Sequence, residues 1–287
     1  MTFWHRFRRS RAGLAGAALL GLVAGGALVG PALDAHSPVR KNVSAGTSPL
    51  GEPQPPSAEF PLGTDALGRC VAARLASGAR RSLAIGLGAT LIALVIGTAI
   101  GLLAGASGGA TDGALMRLTD LVLAFPFLLL ALALTAALRG TEAAAGSGPV
   151  LFVLGAAGWT GSARIVRGKA LAVREREFVQ AARAAGAGRL RLIVRHLLPN
   201  VAGTALVLAS LSAAGMILAE SALAYLGLGA PPPAPSWGRM LQEGQPYLRA
   251  APWLIAAPGL ALHATVVGFH LLGAGLRAAL DPDETRA

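Results

Sequence analysis

Charge is nearly absent from long stretches of this chain. "AGLAGAALLGLVAGGALVGPAL" (12–33) and "SLAIGLGATLIALVIGTAIGLLAGA" (82–106) carry none. Four more apolar stretches follow, at about 115–138, 149–166, 201–225 and 253–276. A helix rises 1.5 Å per residue, so about 20 residues cross a hydrocarbon core of roughly 30 Å. The pattern predicts an all-α, polytopic membrane protein with six transmembrane helices, the fourth being the shortest.

The polar segments fit between these spans. Residues 34–81 begin as an irregular, proline-rich loop, and 64–81 reads as a short helix starting at Thr64 or Asp65. Residues 107–117 read as a tight turn, 139–148 as a short loop, 226–252 as a Pro/Gly-rich loop and 277–287 as a polar tail. Pro126 lies inside the third span and should kink it. Gly86, Gly97, Gly101 and Gly105 place small residues at spacings that let helices pack closely.

Composition agrees. The chain is 54% hydrophobic and 14% charged, with mean hydropathy +0.59, whereas a soluble domain carries about a quarter charged residues. The net charge of +11 could mean nucleic acid or basic cytoplasmic loops, and its distribution decides. Nine Lys and Arg residues fall between 164 and 195. The positive-inside rule puts that segment in the cytoplasm. Six spans then put both termini in the cytoplasm and 226–252 outside. A nucleic-acid role is excluded, because six apolar spans cannot be solvated.

The basic "FWHRFRRSR" (3–11) precedes the first span. That span is longer than a signal-peptide core, so it reads as an uncleaved anchor rather than a cleaved leader. Residues 1–61 are expected to form an anchor span with its external loop, and 62–287 the core domain. Cys70 is alone, which excludes an internal disulfide or a cysteine cluster.

Candidate chemistry is sparse. Gly168-Lys169 is followed by Ala170 and preceded by Ala163, where a phosphate loop needs Ser or Thr and Gly. The chain is therefore not read as an enzyme. No cofactor or metal site is expected: His196 and His263 read as packing or interface residues, and His263 and His270, seven apart on span six, share a face but are too few for a metal site. Asp120 reads as a helix-end partner of Arg117, and Arg164 and Arg167 as boundary anchors. Glu220 either lines a pore or braces the break before Leu226-Gly227. Trp237-Gly238 reads as an interfacial anchor in the outer loop.

The segment "REFVQAARAAGAGRLRLIVRHLLPN" (176–200) stands apart. It reads as two short helices joined at Gly186-Ala187-Gly188, with Leu190, Ile193, Val194 and Leu197 on one face. Physically it could be a knob for a soluble partner or a basic loop on anionic headgroups.

Its residues resemble the signature cytoplasmic loop of binding-protein-dependent ABC importer permeases. That signature is an EAA triplet, a glycine four residues on, and a hydrophobic-Pro pair about a dozen residues later. Here the triplet is Gln180-Ala181-Ala182, the glycine is Gly186 and the pair is Leu198-Pro199. Glutamine replaces the usual glutamate. "LGTDALGRCVAARLASGARRSL" (62–83), "MRLTDLVLAFPFLLLALAL" (116–134), "ILAESALAYLGLGAPPPAPSWGRMLQEG" (217–244) and "LLGAGLRAALDP" (271–282) are similar to the dipeptide/oligopeptide/nickel branch, and to its second, C-type permease subunit. The resemblance implies a type I importer permease of the inner membrane with a cytoplasmic coupling-helix loop. It implies as partners a second homologous permease chain, two ABC ATPase subunits and an extracytoplasmic substrate-binding protein, within membrane lipid. A self-contained secondary transporter or channel is the alternative. Within the branch, cargo can be dipeptides, oligopeptides or nickel.

Overall fold

The computed structural model describes residues 3–33, 36–49, 51–138 and 146–280. Most of the short loop at 139–148 and the last seven residues of the polar tail fall outside that set. Among the described residues the structure is helical, with two isolated β-bridges and no strand.

A short helix α1 (Phe3–Phe7) leads into α2 (Arg11–Leu33), and α3 (Val43–Gly46) sits in the following loop. Ser10 caps the start of α2 by accepting a hydrogen bond from the Gly13 N–H at 3.1 Å. Next comes α4 (Val71–Ser107), 37 residues without a break. The expected short helix at 64–81 is therefore not separate. Asp65 instead makes a turn, its Oδ1 accepting from the N–H groups of Leu67 and Arg69. The helix then starts at Val71 and runs on into span two, because no proline interrupts it. Arg80 also ties this N-terminal part of α4 to α2, donating to the carbonyls of Ala27 and Leu28 in the second half of that helix.

Span three is two helices, α5 (Gly109–Leu123) and α6 (Phe127–Leu138), bent by 81°. Span four is α7 (Gly148–Ala157) and α8 (Thr160–Arg174), bent by 42°. Beyond α8 lie α9 (Glu177–Ala184), α10 (Arg189–Leu192), a π-helical turn (Ile193–Leu197) and α11 (Leu198–Tyr225). The chain closes with α12 (Trp237–Gly244), a 3₁₀ turn (Gln245–Tyr247) and α13 (Trp253–Leu280). Among the described residues, four continuous helices are long and apolar enough to cross a membrane, and counting each bent pair as one span raises the number to six.

The glycines of α4 set its packing. A Cβ at Gly86 would strike Ile217 of α11; one at Gly97 would strike Ser162 and the Trp159 carbonyl; one at Gly101 would strike Val166; one at Gly105 would press on Ala170. Each glycine thus lets a neighbouring helix approach to backbone contact. Lipid offers no hydrophobic drive between helices, so this close contact supplies the cohesion. Ala89, Ala93, Ala104, Ala163 and Ala170 are buried along the same seams.

Candidate functional site: the arginine-rich knob and the broken-span groove

Helix α9 follows α8 after two residues, Glu175 and the extended Arg176. Glu177 in its first turn complements the helix dipole. Val179 is buried among Val166, Ala170, Val173, Leu197 and Val201, which pins α9 to the ends of spans four and five. Gln180 is exposed, and its Nε2 donates to the Arg174 carbonyl at 3.2 Å and to Glu175 Oε2 at 3.3 Å. Both partners are acceptors, so an amide suits this position and a carboxylate would be repelled. Ala181 is exposed and Ala182 half-buried.

The helix ends in a complete Schellman motif. Gly186 N–H bonds to the Arg183 carbonyl and Ala187 N–H to the Ala182 carbonyl, both at 3.0 Å. Gly186 itself has φ +84°, a conformation that glycine adopts without Cβ strain. The returning chain enters α10 at Gly188.

The second helical piece differs from its expected face. Leu197 and Ile193 turn inward, but Leu190 is 76% exposed and Val194 54%. The cause is the π turn at Ile193–Leu197, closed by the bond from Leu198 N–H to the Ile193 carbonyl. Its i→i+5 spacing slips the phase that a 3.6-residue period assumes. Leu190 and Val194 therefore stand exposed, as does Phe178 of α9, in a segment that also carries the exposed Arg183, Arg189, Arg191 and Arg195. The Phe178 ring lies 6.2 Å from that of His196. Leu198 and Pro199 form the first turn of α11, where the missing N–H of proline costs nothing.

Both span breaks open on one groove. Pro126, Phe127, Gly158, Thr160, Ser212 and Met216 are among the residues lining a cavity of about 440 Å³. Pro126 stands at the start of α6, and its carbonyl accepts the Leu130 N–H. Gly158 lets Met216 reach the break in span four, since a Cβ there would collide with its methyl.

Two ion pairs join α5 to α8. Arg167 Nη2 meets Asp112 Oδ2 at 2.6 Å, and Arg164 Nη2 meets Asp120 Oδ1 at 2.5 Å. Asp120 thus pairs with the neighbouring helix and not with Arg117 on its own. The bend in span three lays α5 along α8, which brings that guanidinium into range.

Glu220 is fully buried in α11, where α4 and α12 meet it. Ser221 Oγ donates to its Oε2 at 3.4 Å, and Ser82 and Ser236 flank it. Its Oε1 has no hydrogen-bond partner among the described residues. Gly227 ends α11 with φ +80° in a second Schellman motif, with Leu228 N–H on the Leu223 carbonyl and Gly227 N–H on the Ala224 carbonyl.

Trp237 is not an interfacial anchor. It is 1% exposed, and its Nε1 donates to the Leu75 carbonyl of α4. Gly238 allows this, because any Cβ would strike the Ser221 backbone of α11. The loop between spans five and six therefore folds back onto the bundle as α12.

The sequence profile described as binding-protein-dependent transport system inner membrane component matches residues 97–286. The chain belongs to this family. A second profile, the N-terminal TM domain of oligopeptide transport permease C, matches residues 1–56. The permease is 37% identical over 280 residues to the dipeptide transport system permease protein DppC of Bacillus subtilis, spanning 97% of this chain and 84% of the relative. It is 38% identical over 282 residues to the di/tripeptide transport system permease protein DppC of Pseudomonas aeruginosa, spanning 98% and 91%. It is 40% identical over 223 residues to the oligopeptide transport system permease protein OppC of Haemophilus influenzae, spanning 78% and 70%. This permease is accordingly a multi-pass, membrane-embedded component of a binding-protein-dependent transport system.

One feature of the permease escaped sequence reasoning. Glu243 of α12 gathers three guanidiniums: Arg69 at 2.8 Å, Arg74 at 2.7 Å and Arg239 at 3.0 Å. Asp65 closes the cluster on Arg69 at 2.6 Å and Arg74 at 3.3 Å. The Arg74 side chain is only 2% exposed. The sole signals were two i,i+4 spacings, Asp65–Arg69 and Arg239–Glu243. Nothing local linked the two pairs.

Proposed function

We propose that this chain is one of two pore-forming permease chains of an ATP-driven importer of dipeptides or oligopeptides. The relatives' names support the cargo class. The knob supports the energy source. A helix clamped by Val179 and closed by Gly186 presents Phe178 and Ala181 outward, and α10 adds Leu190, amid arginines. Such a surface suits the groove of a soluble subunit better than it suits lipid. In this reading two ATPase subunits bind Gln180-Ala181-Ala182 and the helix around them. Their closure moves α9, and the π turn with Leu198-Pro199 passes that motion into span five. A second homologous permease chain completes the pore, and an extracytoplasmic binding protein delivers cargo. Both termini lie in the cytoplasm. Residues 1–61 anchor the chain beside the 62–287 core, and Glu220 braces α11 against α4 and α12.

The test is reconstitution of the chain with its second permease chain, ATPases and receptor in vesicles. ATP should drive uptake of a labelled dipeptide, and omitting the ATPases should abolish it. Uptake driven by an ion gradient without ATPases would refute the proposal. On a Cys70→Ala background, Leu190→Cys should react with an impermeant reagent from the cytoplasmic side only, and Pro232→Cys from the external side only. The reverse pattern would overturn the topology.

A further inference from the structure

The two ion pairs between α5 and α8 differ in exposure. Asp112 and Arg167 lie nearer the chain ends of their spans, and their side chains are 14% and 32% exposed. Asp120 and Arg164 lie nearer the span breaks, yet they are 58% and 52% exposed. In a span simply bathed by lipid the order would be the reverse. Charges deep in a span face water or protein, because lipid does not solvate them.

The helix register says which way this pair faces. Arg164 is four residues after Thr160, and Asp120 is three residues before Leu123. At these spacings side chains share one face of a helix. Thr160 and Leu123 both line the broken-span groove. The pair therefore continues the groove by one turn, towards the knob end of the protein.

The rest of the groove wall is largely apolar, with Phe125, Phe127 and Met216 among its residues. Within that wall the pair offers one anion and one cation side by side. We propose that Asp120 and Arg164 form a water-facing gate at the inner end of the translocation groove, matched to a zwitterionic peptide. This rests on the importer reading above. With the pair closed, α5 and α8 are tied across the path. A half-exposed pair is weak, so it can part and re-form in each cycle. As it parts, the peptide ammonium takes the place of Arg164 at Asp120, and the peptide carboxylate takes the place of Asp120 at Arg164. Neither charge is then left bare in an apolar channel. The tighter Asp112–Arg167 pair holds the two helices together while this exchange occurs.

The test uses the whole reconstituted transporter on a Cys70→Ala background. Arg164→Cys should lower ATP-driven uptake of a free dipeptide by about tenfold, since one exchange partner is gone and Asp120 is left bare. Aminoethyl methanethiosulfonate places an ammonium on that thiol, and uptake should recover to within about threefold of the parent. The sulfonatoethyl reagent places an anion there and should restore nothing. The proposal is overturned if neither reagent labels the thiol, because lipid or the second permease chain then seals the position. It is also overturned if Arg164→Cys transports like its parent, or if both reagents rescue equally, because bulk and not charge then matters. A parent that takes up no dipeptide overturns the importer reading and the cargo match with it. Labelling of the thiol, read by mass, still shows separately whether the pair faces water.

Discussion

Gly186→Val isolates the role of one backbone angle. Gly186 has φ +84° and lies in open space, with nothing within 4 Å of where a Cβ would stand. A larger side chain therefore meets no neighbour, and the whole cost is conformational. A side chain with a Cβ costs about 1–2 kcal/mol in the left-handed region, and a β-branched residue sits at the upper end or beyond it. About 2 kcal/mol is a factor of roughly 30 in population. The two Schellman bonds, from Gly186 and Ala187, are lost if the turn gives way. Val179 would still hold one side of α9, so the helix should swing and not unfold. Insertion should be unaffected, because the spans are untouched. ATPase retention on washed membranes and dipeptide uptake should both fall several-fold for Val. Ala should be intermediate, and Asn, which tolerates the left-handed region, should stay near wild type. Wild-type retention and uptake for Val would show that this turn does not couple the two machines. Equal damage from Asn and Val would show that any side chain is harmful there and that φ is not the cause.

Three further outcomes follow from the packing. Glu220→Gln should keep assembly and most transport, since an amide oxygen can still accept from Ser221 with the Ser82 and Ser236 hydroxyls alongside, while Glu220→Leu should reduce assembled complex on a native gel; a Gln variant that assembles fully but transports nothing would make the charge itself functional. Glu243→Gln removes one anion from among three guanidiniums, and should cost about 2 kcal/mol after allowing for partial exposure; an unchanged melting temperature in detergent would refute this. Gly238→Ala forces a Cβ into the Ser221 backbone, with an expected loss of about 1–3 kcal/mol, readable as a lower yield of monodisperse protein.

Much of the architecture was legible because membrane spans announce themselves by composition. The glycines of α4 could be read as contact points, and Gly186 as a helix end, since both follow from local sterics. Beyond the Glu243 cluster, three further features could not be read. The π turn at Ile193–Leu197 carries no local sequence mark, and it rotated the expected face of Leu190 and Val194 into the open. The partner of Asp120 lies 44 residues away, and a helix-surface rule could offer only its own helix. Trp237 looked like an interfacial residue because its segment is rich in proline and glycine. Only the tertiary fit of Gly238 on Ser221 turns it inward.

The unbroken helix α4 has a mechanical consequence. Its 37 residues make a rod about 55 Å long, against a hydrocarbon core of roughly 30 Å. It contains no proline, and so lacks the commonest cause of a sharp kink. Near one end, Arg74 is locked into the Glu243 cluster. Near the other, the Gly105 carbonyl accepts Arg174 Nη1 at 3.1 Å, next to the residues that Gln180 holds. Such a rod acts as a lever. A tilt of about 10° around its middle carries each end through about 5 Å, in opposite directions. If α4 pivots in this way, a push on the α12 loop at one end would reach the knob at the other by rigid rotation alone.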